Sequence, residues 1–265
     1  DPQSAEADAH KTNYVAGLDI GSLKGVRLGV LRGTQGYSET TQPVFDAALN
    51  VLKVQGAELV EVPQELLEDL SQEQLTVLFY DFKQDINAYL AGTPPAVKTR
   101  SLKDLMEFNR TDPRENMHGQ EIFETAEATK GFDEAEYREA RATGLLKARA
   151  EGIDKWLADY DVRAVLALTK GPGEEIPPDG IVPEHSVILR EEKGAKAPHA
   201  TTYASIAGYP ILTVPMGLVD GMPVGMSFIG PAWSEQMLLS FGYAYEQASH
   251  MRVPPTAYKQ AVTNE

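Results

Sequence analysis

The sequence predicts an α/β protein, in which a mixed β-sheet is covered by helices. Three observations support this class: a strand, helix and strand at the start, a long helical middle section, and a hairpin followed by a helix at the end. A crossover helix returns the chain to the same end of the sheet and makes its two strands parallel, whereas a tight hairpin makes its strands antiparallel. One sheet that contains both connections is mixed.

The opening unit begins with a strand over residues 25–32, where apolar and basic residues alternate up to Gly33. A helix follows over 41–55, and Gly56 stands at the position that a C-terminal cap prefers. Its apolar residues recur at helical spacing: Val44, Phe45, Ala48, Leu49 and Leu52. Residues 57–62 form the second strand, so the unit is a right-handed parallel βαβ crossover.

The middle section, residues 64–160, is predicted to be helical, with four segments and no strand. Its last helix is expected to run from Tyr137 to Trp156 without interruption. Gly144 and Gly152 lie inside that helix and each weakens it.

A buried strand is predicted over 162–168, because this near-continuous apolar run has strand length. The loop over 170–198 is too long for an ordinary connection, and such loops in compact domains are usually functional or disordered. A short helix over 200–207 ends at Gly208.

The last predicted elements are a hairpin and a helix. The strands over 211–218 and 223–230 join across Asp220-Gly221, a pair typical of tight hairpin turns. Ser234 is expected to cap a helix that ends near Ser249.

Composition excludes several classes of function. The 265 residues include 39 acidic and 24 basic side chains, a net charge of -15, and this balance disfavours nucleic acid as a partner. The absence of cysteine excludes disulfides, thiolate nucleophiles and cysteine-ligated metals. No apolar stretch reaches the roughly 20 residues of a membrane helix, so no membrane partner is expected. The compartment is left undecided, with a soluble cytoplasmic protein favoured.

Several motifs resemble catalytic or ligand sites without fulfilling them. The glycine-rich exit of the first strand, Gly29 to Gly36, lacks the spacing of a phosphate-binding loop, so no cofactor is expected. Ser227 resembles the nucleophile elbow of hydrolases, but the motif needs glycine at 229, where isoleucine stands. Ser227 is therefore interpreted as a hydroxyl on one face of the hairpin.

Titratable residues form no complete site either. The histidines are dispersed (His10, His118, His185, His199, His250), and only His118 and Glu121 would share a helix face. Glu174 and Glu175 are adjacent and point apart, which makes a poor acid and base pair. Neither a metal site nor a catalytic group is predicted from these residues.

Eight segments of the chain nevertheless carry a family resemblance: residues 23–30, 82–90, 102–109, 119–121, 152–154, 204–217, 221–230 and 235–246. Through these segments the chain resembles the amidase signature family over nearly its whole length, and most closely its peptide amidase-like or aliphatic amidase-like members. The C-terminal part of the resemblance is the most specific.

The resemblance implies hydrolysis of carboxamides by a Ser, cis-Ser, Lys triad, in which Lys relays protons and the second Ser attacks the carbonyl. A serine hydroxyl needs such a base at neutral pH. The family's Gly/Ser-rich signature, which carries the triad, has no counterpart in this sequence, and Ser22 and Lys24 fall in the segment after it. No catalytic residue is therefore assigned to this chain.

The resemblance also assigns the substrate-binding residues. The loop after the strand at 165–169 and the segment 199–203 would face the acyl or amide pocket, which gives five candidates: Thr169, Gly171, Pro172, His199 and Tyr203. The family's usual Pro-Thr pair is replaced here by Leu168-Thr169, so the amide substrate stays unassigned.

The sequence is thus interpreted as the C-terminal part of an amidase, one incomplete α/β domain over 1–265, with a small amide as its ligand and the triad upstream. A non-catalytic α/β ligand-binding module and a folding unit without independent function are the alternatives. The polar start at Asp1 has no features of a signal peptide and is expected not to be a natural N-terminus. A surface left by a missing half would favour a homo-oligomer.

Overall fold

The computed structural model describes residues 5–34, 36–115, 119–173 and 199–254. Its strands are β1 (Arg27–Leu31), β2 (Glu58–Val62), β3 (Ala164–Lys170), β4 (Ile211–Val219) and β5 (Met222–Ile229). Its α-helices are α1 (Ala7–His10), α2 (Gln42–Val54), α3 (Ser71–Ala91), α4 (Leu102–Thr111), α5 (Glu121–Ala128), α6 (Ala135–Ala148), α7 (Asp154–Asp159), α8 (Ala200–Ala207) and α9 (Glu235–Ser249). Short 3₁₀ turns lie at Gln64–Leu66 and Pro113–Glu115, and a π turn lies at Arg149–Ile153.

The five strands form one mixed sheet in the order β2-β1-β3-β5-β4. β1 pairs in parallel with β2 and β3, while β5 pairs antiparallel with both β3 and β4. The predicted α/β class is confirmed, together with the parallel βαβ opening and the hairpin at Asp220-Gly221. The strand order could not be read from the sequence, because β3 inserts beside β1 only after the long helical section.

The described residues form two compact units: those of 5–68, 149–173 and 199–254, and those of 69–148. In the first unit, α2 and α9 cover one face of the sheet. Strand residues 28, 30, 166, 168, 226 and 228 pack there in one apolar cluster with Phe45 and Tyr245. The alternate residues of β3 and β5 face the other way, and α7 and α8 pack against that side of β3.

In the second unit, α3 packs against α5 and α6. Tyr80 on α3 lies 5.4 Å from Tyr137 on α6, measured between ring centroids, and Phe82 lies 5.6 Å from Phe123 on α5. The Tyr137 hydroxyl donates to Asp81 Oδ1 at 2.8 Å. Across the described chain, every helix is either too short or too polar to cross a membrane.

Two sequence predictions about helices are wrong. The helix expected from Tyr137 to Trp156 breaks at the π turn, where Gly152 adopts φ -108° and ψ -110°, outside the helical region. A glycine opposes such a change least, since it has no Cβ and adds little helix propensity. Ser234 precedes α9 as predicted, but its hydroxyl donates to the Pro231 carbonyl at 2.7 Å and makes no cap bond.

The predicted loop over 170–198 falls mostly outside the described residues, which stop at Gly173 and resume at His199. His118, Glu174, Glu175 and His185, which the sequence analysis considered, also lie outside the described residues. The helix that follows the loop is confirmed as α8, and Gly208 ends it in the left-handed region at φ 66°.

Candidate functional site

The sheet has a topological switch point between β1 and β3. From β1 the chain passes through α2, on one face of the sheet, to β2 at one edge. After β3, the next described helix is α8, on the opposite face, and it leads to β4 at the other edge. Neighbouring strands that connect in opposite directions leave a crevice between their carboxyl ends. Open α/β sheets bind ligands in such crevices.

The two loops at this crevice meet backbone to backbone. A Cβ placed on Gly36, after β1, would lie only 2.2 Å from the amide nitrogen of Gly171, after β3. Gly36 also has φ 87°, a conformation that other residues rarely adopt. The buried hydroxyl of Thr41 donates to the Gly36 carbonyl at 2.8 Å and holds this loop in place. Gly171, a predicted site residue, is thus fixed against β1's exit loop.

Thr169 lies one residue before the end of β3, where the pairing with β5 shifts register between Leu168 and Lys170. Its Oγ1 lies 2.7 Å from Ser227 Oγ on β5, and Ser227 Oγ lies 3.1 Å from Thr213 Oγ1 on β4. We call Thr169, Ser227 and Thr213 the hydroxyl row. Ser227 is fully buried, whereas Thr169 is half-buried and Thr213 is exposed.

The hydroxyl row can engage a carboxamide at its ends. A hydroxyl donates one hydrogen bond and accepts up to two, so Thr169 keeps hydrogen-bonding capacity after its bond to Ser227. A carboxamide offers both a carbonyl acceptor and N–H donors. The interpretation of Ser227 as a hydroxyl on one face of the hairpin agrees with this geometry, and the buried row gives that hydroxyl a definite position.

Tyr203, on α8, is 2% exposed. Its ring lies 4.7 Å from that of Trp156 on α7, and its hydroxyl accepts from the Glu68 amide at 2.7 Å. His199 occupies the N-cap of α8 and its carbonyl accepts from the Thr202 amide. Contacts with Trp156 and with the Glu68 backbone therefore fix both the ring and the hydroxyl of Tyr203.

The predicted site residues lie on neighbouring elements. Thr169 and Ser227 lie on the same face of the sheet. Helix α8 packs against β3 and β5, and none of its residues belongs to the apolar cluster under α2 and α9, so α8 covers the face that carries Thr169. β3 and β4 point the same way, so the helix between them begins near the carboxyl end of β3. This places His199 toward the same end of the sheet as Thr169, Gly171 and Pro172. The role of residues 169–172 and 199–203 in binding stays a prediction.

Arg32, directly after β1, is a residue that the sequence pattern did not single out. Its guanidinium donates to Asp46 Oδ1 at 2.7 Å, to the Tyr37 hydroxyl at 3.1 Å and to Glu61 at 3.2 Å. Burial opposes its charge, but the bonds to Asp46, Tyr37 and Glu61 prevail and raise the pKa of Arg32 above its ordinary value. Arg32 therefore ties the end of β1 to α2 and β2. The sequence contained one signal for this role of Arg32: an arginine directly after a strand, with an acid on the next helix, Asp46, and another on the next strand, Glu61.

Thr34 is a second residue that sequence reasoning missed. It follows β1 at the switch point and is 2% exposed. Its Oγ1 has no hydrogen-bond partner in the described structure. An unpaired buried hydroxyl costs about 1–3 kcal/mol, and no sequence signal marks it.

The rejected motifs have structural roles or stand apart. The Ser22 hydroxyl donates to the Ser240 carbonyl at 2.9 Å, and the His10 ring stacks on Trp233 at 3.7 Å. Within the described residues, no three His, Asp or Glu side chains come together as metal ligands would.

The fold and the crevice define a class: an α/β protein whose candidate pocket opens at a switch point and is lined by hydroxyls and backbone. Residues 1–239 match the family model described as Amidase. The chain belongs to the amidase family.

Solved structures show the same fold. The peptide amidase from Stenotrophomonas maltophilia is 34% identical with a TM-score of 0.76, and the match covers 92% of this chain and 47% of that one. An amidase family protein from Bacillus anthracis is 27% identical with a TM-score of 0.74, covering 97% and 45%.

Curated relatives match over a similar share. A probable amidase of Arabidopsis thaliana is 28% identical over 254 residues, covering 91% of this chain and 42% of the relative. A glutamyl-tRNA(Gln) amidotransferase component from Latilactobacillus sakei is 24% identical over 263 residues, covering 97% and 51%. The chain thus spans about half the length of the relatives it matches.

Proposed function

We propose that this chain forms the pocket-lining part of an amidase that hydrolyses carboxamide C–N bonds, while the Ser, cis-Ser, Lys triad is supplied from outside residues 1–265. The observation that carries the proposal is the family match over residues 1–239, combined with 34% identity to a peptide amidase over 92% of the chain. The absence of a Gly/Ser-rich signature from the sequence supports the second half of the proposal.

The pocket wall is assigned to the carboxyl ends of β1 and β3. Thr169 presents its hydroxyl to the amide, and Ser227 holds that hydroxyl through the 2.7 Å bond. Gly171 and Pro172 shape the loop after β3, whose backbone approaches so closely that a Cβ on Gly36 would clash with the Gly171 amide nitrogen. His199 borders the pocket at the start of α8. Tyr203, whose ring and hydroxyl bond within the fold, is a positioning residue for α8.

The substrate is a carboxamide without an obligatory charge at the amide end, because hydroxyls and backbone groups dominate the described wall. A C-terminal peptide amide and a simple aliphatic amide both meet this requirement.

The experiment compares the isolated chain with a longer protein that joins a Gly/Ser-rich amidase signature segment to residues 1–265. Ammonia release from a peptide amide, an aliphatic amide and the matching free acids is measured. The isolated chain is expected to release none, and the longer protein is expected to release ammonia from an amide. In the longer protein Thr169→Val should raise KM at least tenfold and Arg138→Gln, on the second unit, should leave KM unchanged.

Hydrolysis by the purified isolated chain that disappears in Ser227→Ala or Ser22→Ala would overturn the proposal. Saturable binding of a metabolite by the isolated chain, without hydrolysis by the longer protein, would favour the ligand-binding module instead.

We also propose that the isolated chain associates with a second copy through β4. The other edge strand, β2, carries Glu58 and Glu61, which pair with Arg27 and Arg32 and blunt that edge with charge. β4 has no charged residue from Ile211 to Val219, and Ile211 and Leu218 are 38% and 45% exposed. Pro215 and the register shift between Pro215 and Gly217 interrupt this edge, so the part open to another strand runs from Ile211 to Val214. An uncharged edge segment that exposes Ile211 favours pairing there.

A further inference from the structure

A groove lies at the amino-terminal end of β1 and β3, at the end of the sheet opposite the candidate pocket. Arg163, directly before β3, donates its amide to the Arg27 carbonyl and lines two adjoining cavities of about 520 and 430 Å³. Met237 and Phe241 on α9 line both cavities as well. We call this joint space the Arg163 groove.

The guanidinium of Arg163 has no carboxylate partner among the described residues. Its one described hydrogen bond goes from Nη2 to the Met237 thioether at 3.6 Å, a weak acceptor. Arg27, which lines the smaller cavity, is in contrast paired with both Glu58 and Asp161. In a chain with 15 more acidic than basic residues, the exposed Arg163 makes no described ion pair with Asp161, the acid that lines the smaller cavity, so its charge is open to a ligand.

Arginine is the side chain best matched to a carboxylate, because its planar fork donates two parallel hydrogen bonds. It cannot lose its proton in a protein, so the positive charge in the groove is permanent. The nearest acid in the groove, Asp161, already lies 3.5 Å from Arg27 Nε and is largely exposed.

The remaining walls combine polar and apolar side chains, and Ser234, Gln236 and Ser240 are the polar ones in the larger cavity. Met237 and Phe241 form the shared wall, and Trp233, 45% exposed, lines the larger cavity beside Gly17. The Trp233 ring is held in place, since it stacks on His10 with an angle of 4° between the ring planes. An apolar group placed in the larger cavity would remove these surfaces from water, at about 25 cal/mol per Å².

We propose that the Arg163 groove binds an organic carboxylate with an apolar body. The carboxylate oxygens accept from the Arg163 guanidinium, and the apolar body lies against Met237, Phe241 and Trp233. Neither an inorganic anion nor a neutral amide satisfies both halves of this site. The groove uses none of the candidate pocket residues, so its binding is independent of the proposed amidase function.

The test uses the full 265-residue chain with phenylacetate as the probe, and phenylacetamide and acetate as matched analogues. Isothermal titration gives the affinity, and the indole N–H signal of Trp233 in NMR spectra reports the place of binding. Phenylacetate is expected to bind saturably and to shift that signal, while the two analogues bind at least tenfold more weakly.

Arg163→Gln should weaken phenylacetate at least tenfold, since it removes the charge and keeps much of the side-chain length. Arg138→Gln, the same change at an exposed position of α6, should have no effect. The comparison of phenylacetate with its amide needs no variant, so it decides the matter even if Arg163→Gln folds poorly. Equal affinities for acid and amide, no saturable binding of phenylacetate, or unchanged affinity in a folded Arg163→Gln would each overturn the proposal.

Discussion

Ser227 Oγ lies 2.7 Å from Thr169 Oγ1, although the two residues are 58 positions apart in the sequence and Ser227 is fully buried. The bond crosses from β5 to β3, beside the register shift between Leu168 and Lys170 near the end of their pairing. A buried hydroxyl that bridges strands has few alternative partners, so it fixes the orientation of the residue at the pocket. Under the proposed function, Ser227 acts through Thr169 and not as a nucleophile.

Replacing Ser227 by alanine removes the centre of the hydroxyl row. We expect the free energy of unfolding of the isolated chain to fall by about 1–2 kcal/mol, because two hydrogen bonds are lost and water reaches only the outer threonines. Urea unfolding followed by circular dichroism measures this. Thr213→Val, at the exposed end of the row, should cost less. An equal loss in the two variants would contradict the central position of Ser227.

The contact of Gly36 with Gly171 can be tested against a matched glycine. Gly36→Ala should destabilise the chain by about 2–4 kcal/mol, the sum of left-handed backbone strain and a clash with the facing backbone. Gly25 has φ 72° and open space around its Cβ position, so Gly25→Ala isolates the strain alone, about 1–2 kcal/mol. If thermal unfolding shows the same loss for both variants, the loops after β1 and β3 are not in contact.

The local elements were predictable because they depend on local patterns: apolar spacing for α2, alternation for β1, and Asp220-Gly221 for the hairpin. The hydroxyl row was not predictable from the sequence, because it depends on the pairing of β3 with β5 and on a register shift that no sequence motif indicates. The break at Gly152 was visible as a weak helix position, but tertiary packing decides whether such a position breaks. Thr169 and Gly171 were assigned to the site by family resemblance alone. The structure places both residues at the switch point, and their role in binding stays a prediction.

Tyr245 on α9 should destabilise the fold at alkaline pH. Its hydroxyl is buried and has no described partner at normal hydrogen-bond geometry. Burial raises the pKa of Tyr245, and the nearby side chain of Ser249 opposes this rise only in part. A raised pKa means that the stabilisation is present below the unfolded value, about 10, and is lost as the pH rises through the folded value. Unfolding free energies between pH 7 and 12 should therefore fall less steeply in Tyr245→Phe than in the wild type.

At pH 7, Tyr245→Phe should be neutral or slightly stabilising, because it removes an unpaired buried hydroxyl. Tyr89→Phe, at an exposed position of α3, provides the control and should leave the alkaline transition unchanged. An alkaline transition in Tyr245→Phe identical to that of the wild type would show that Tyr245 does not contribute to it.

The open edge of β4 predicts self-association of the isolated chain. Light scattering at increasing protein concentration should show dimers or larger species, and Ile211→Lys should shift the chain toward the monomer by placing a charge on that edge. Val54→Lys introduces the same charge at an exposed apolar position of α2 and should leave the association unchanged. A stable monomer of the wild-type chain at high concentration would exclude pairing through β4.

Ammonia release from carboxamides tests the central claim most directly, namely that this chain lines the pocket of an amidase and does not carry its nucleophile. The isolated chain should release no ammonia, and the longer protein with a Gly/Ser-rich signature segment should release it and lose affinity for the amide in Thr169→Val. Turnover by the isolated chain that depends on Ser227, or a longer protein that leaves every amide intact, would contradict the account.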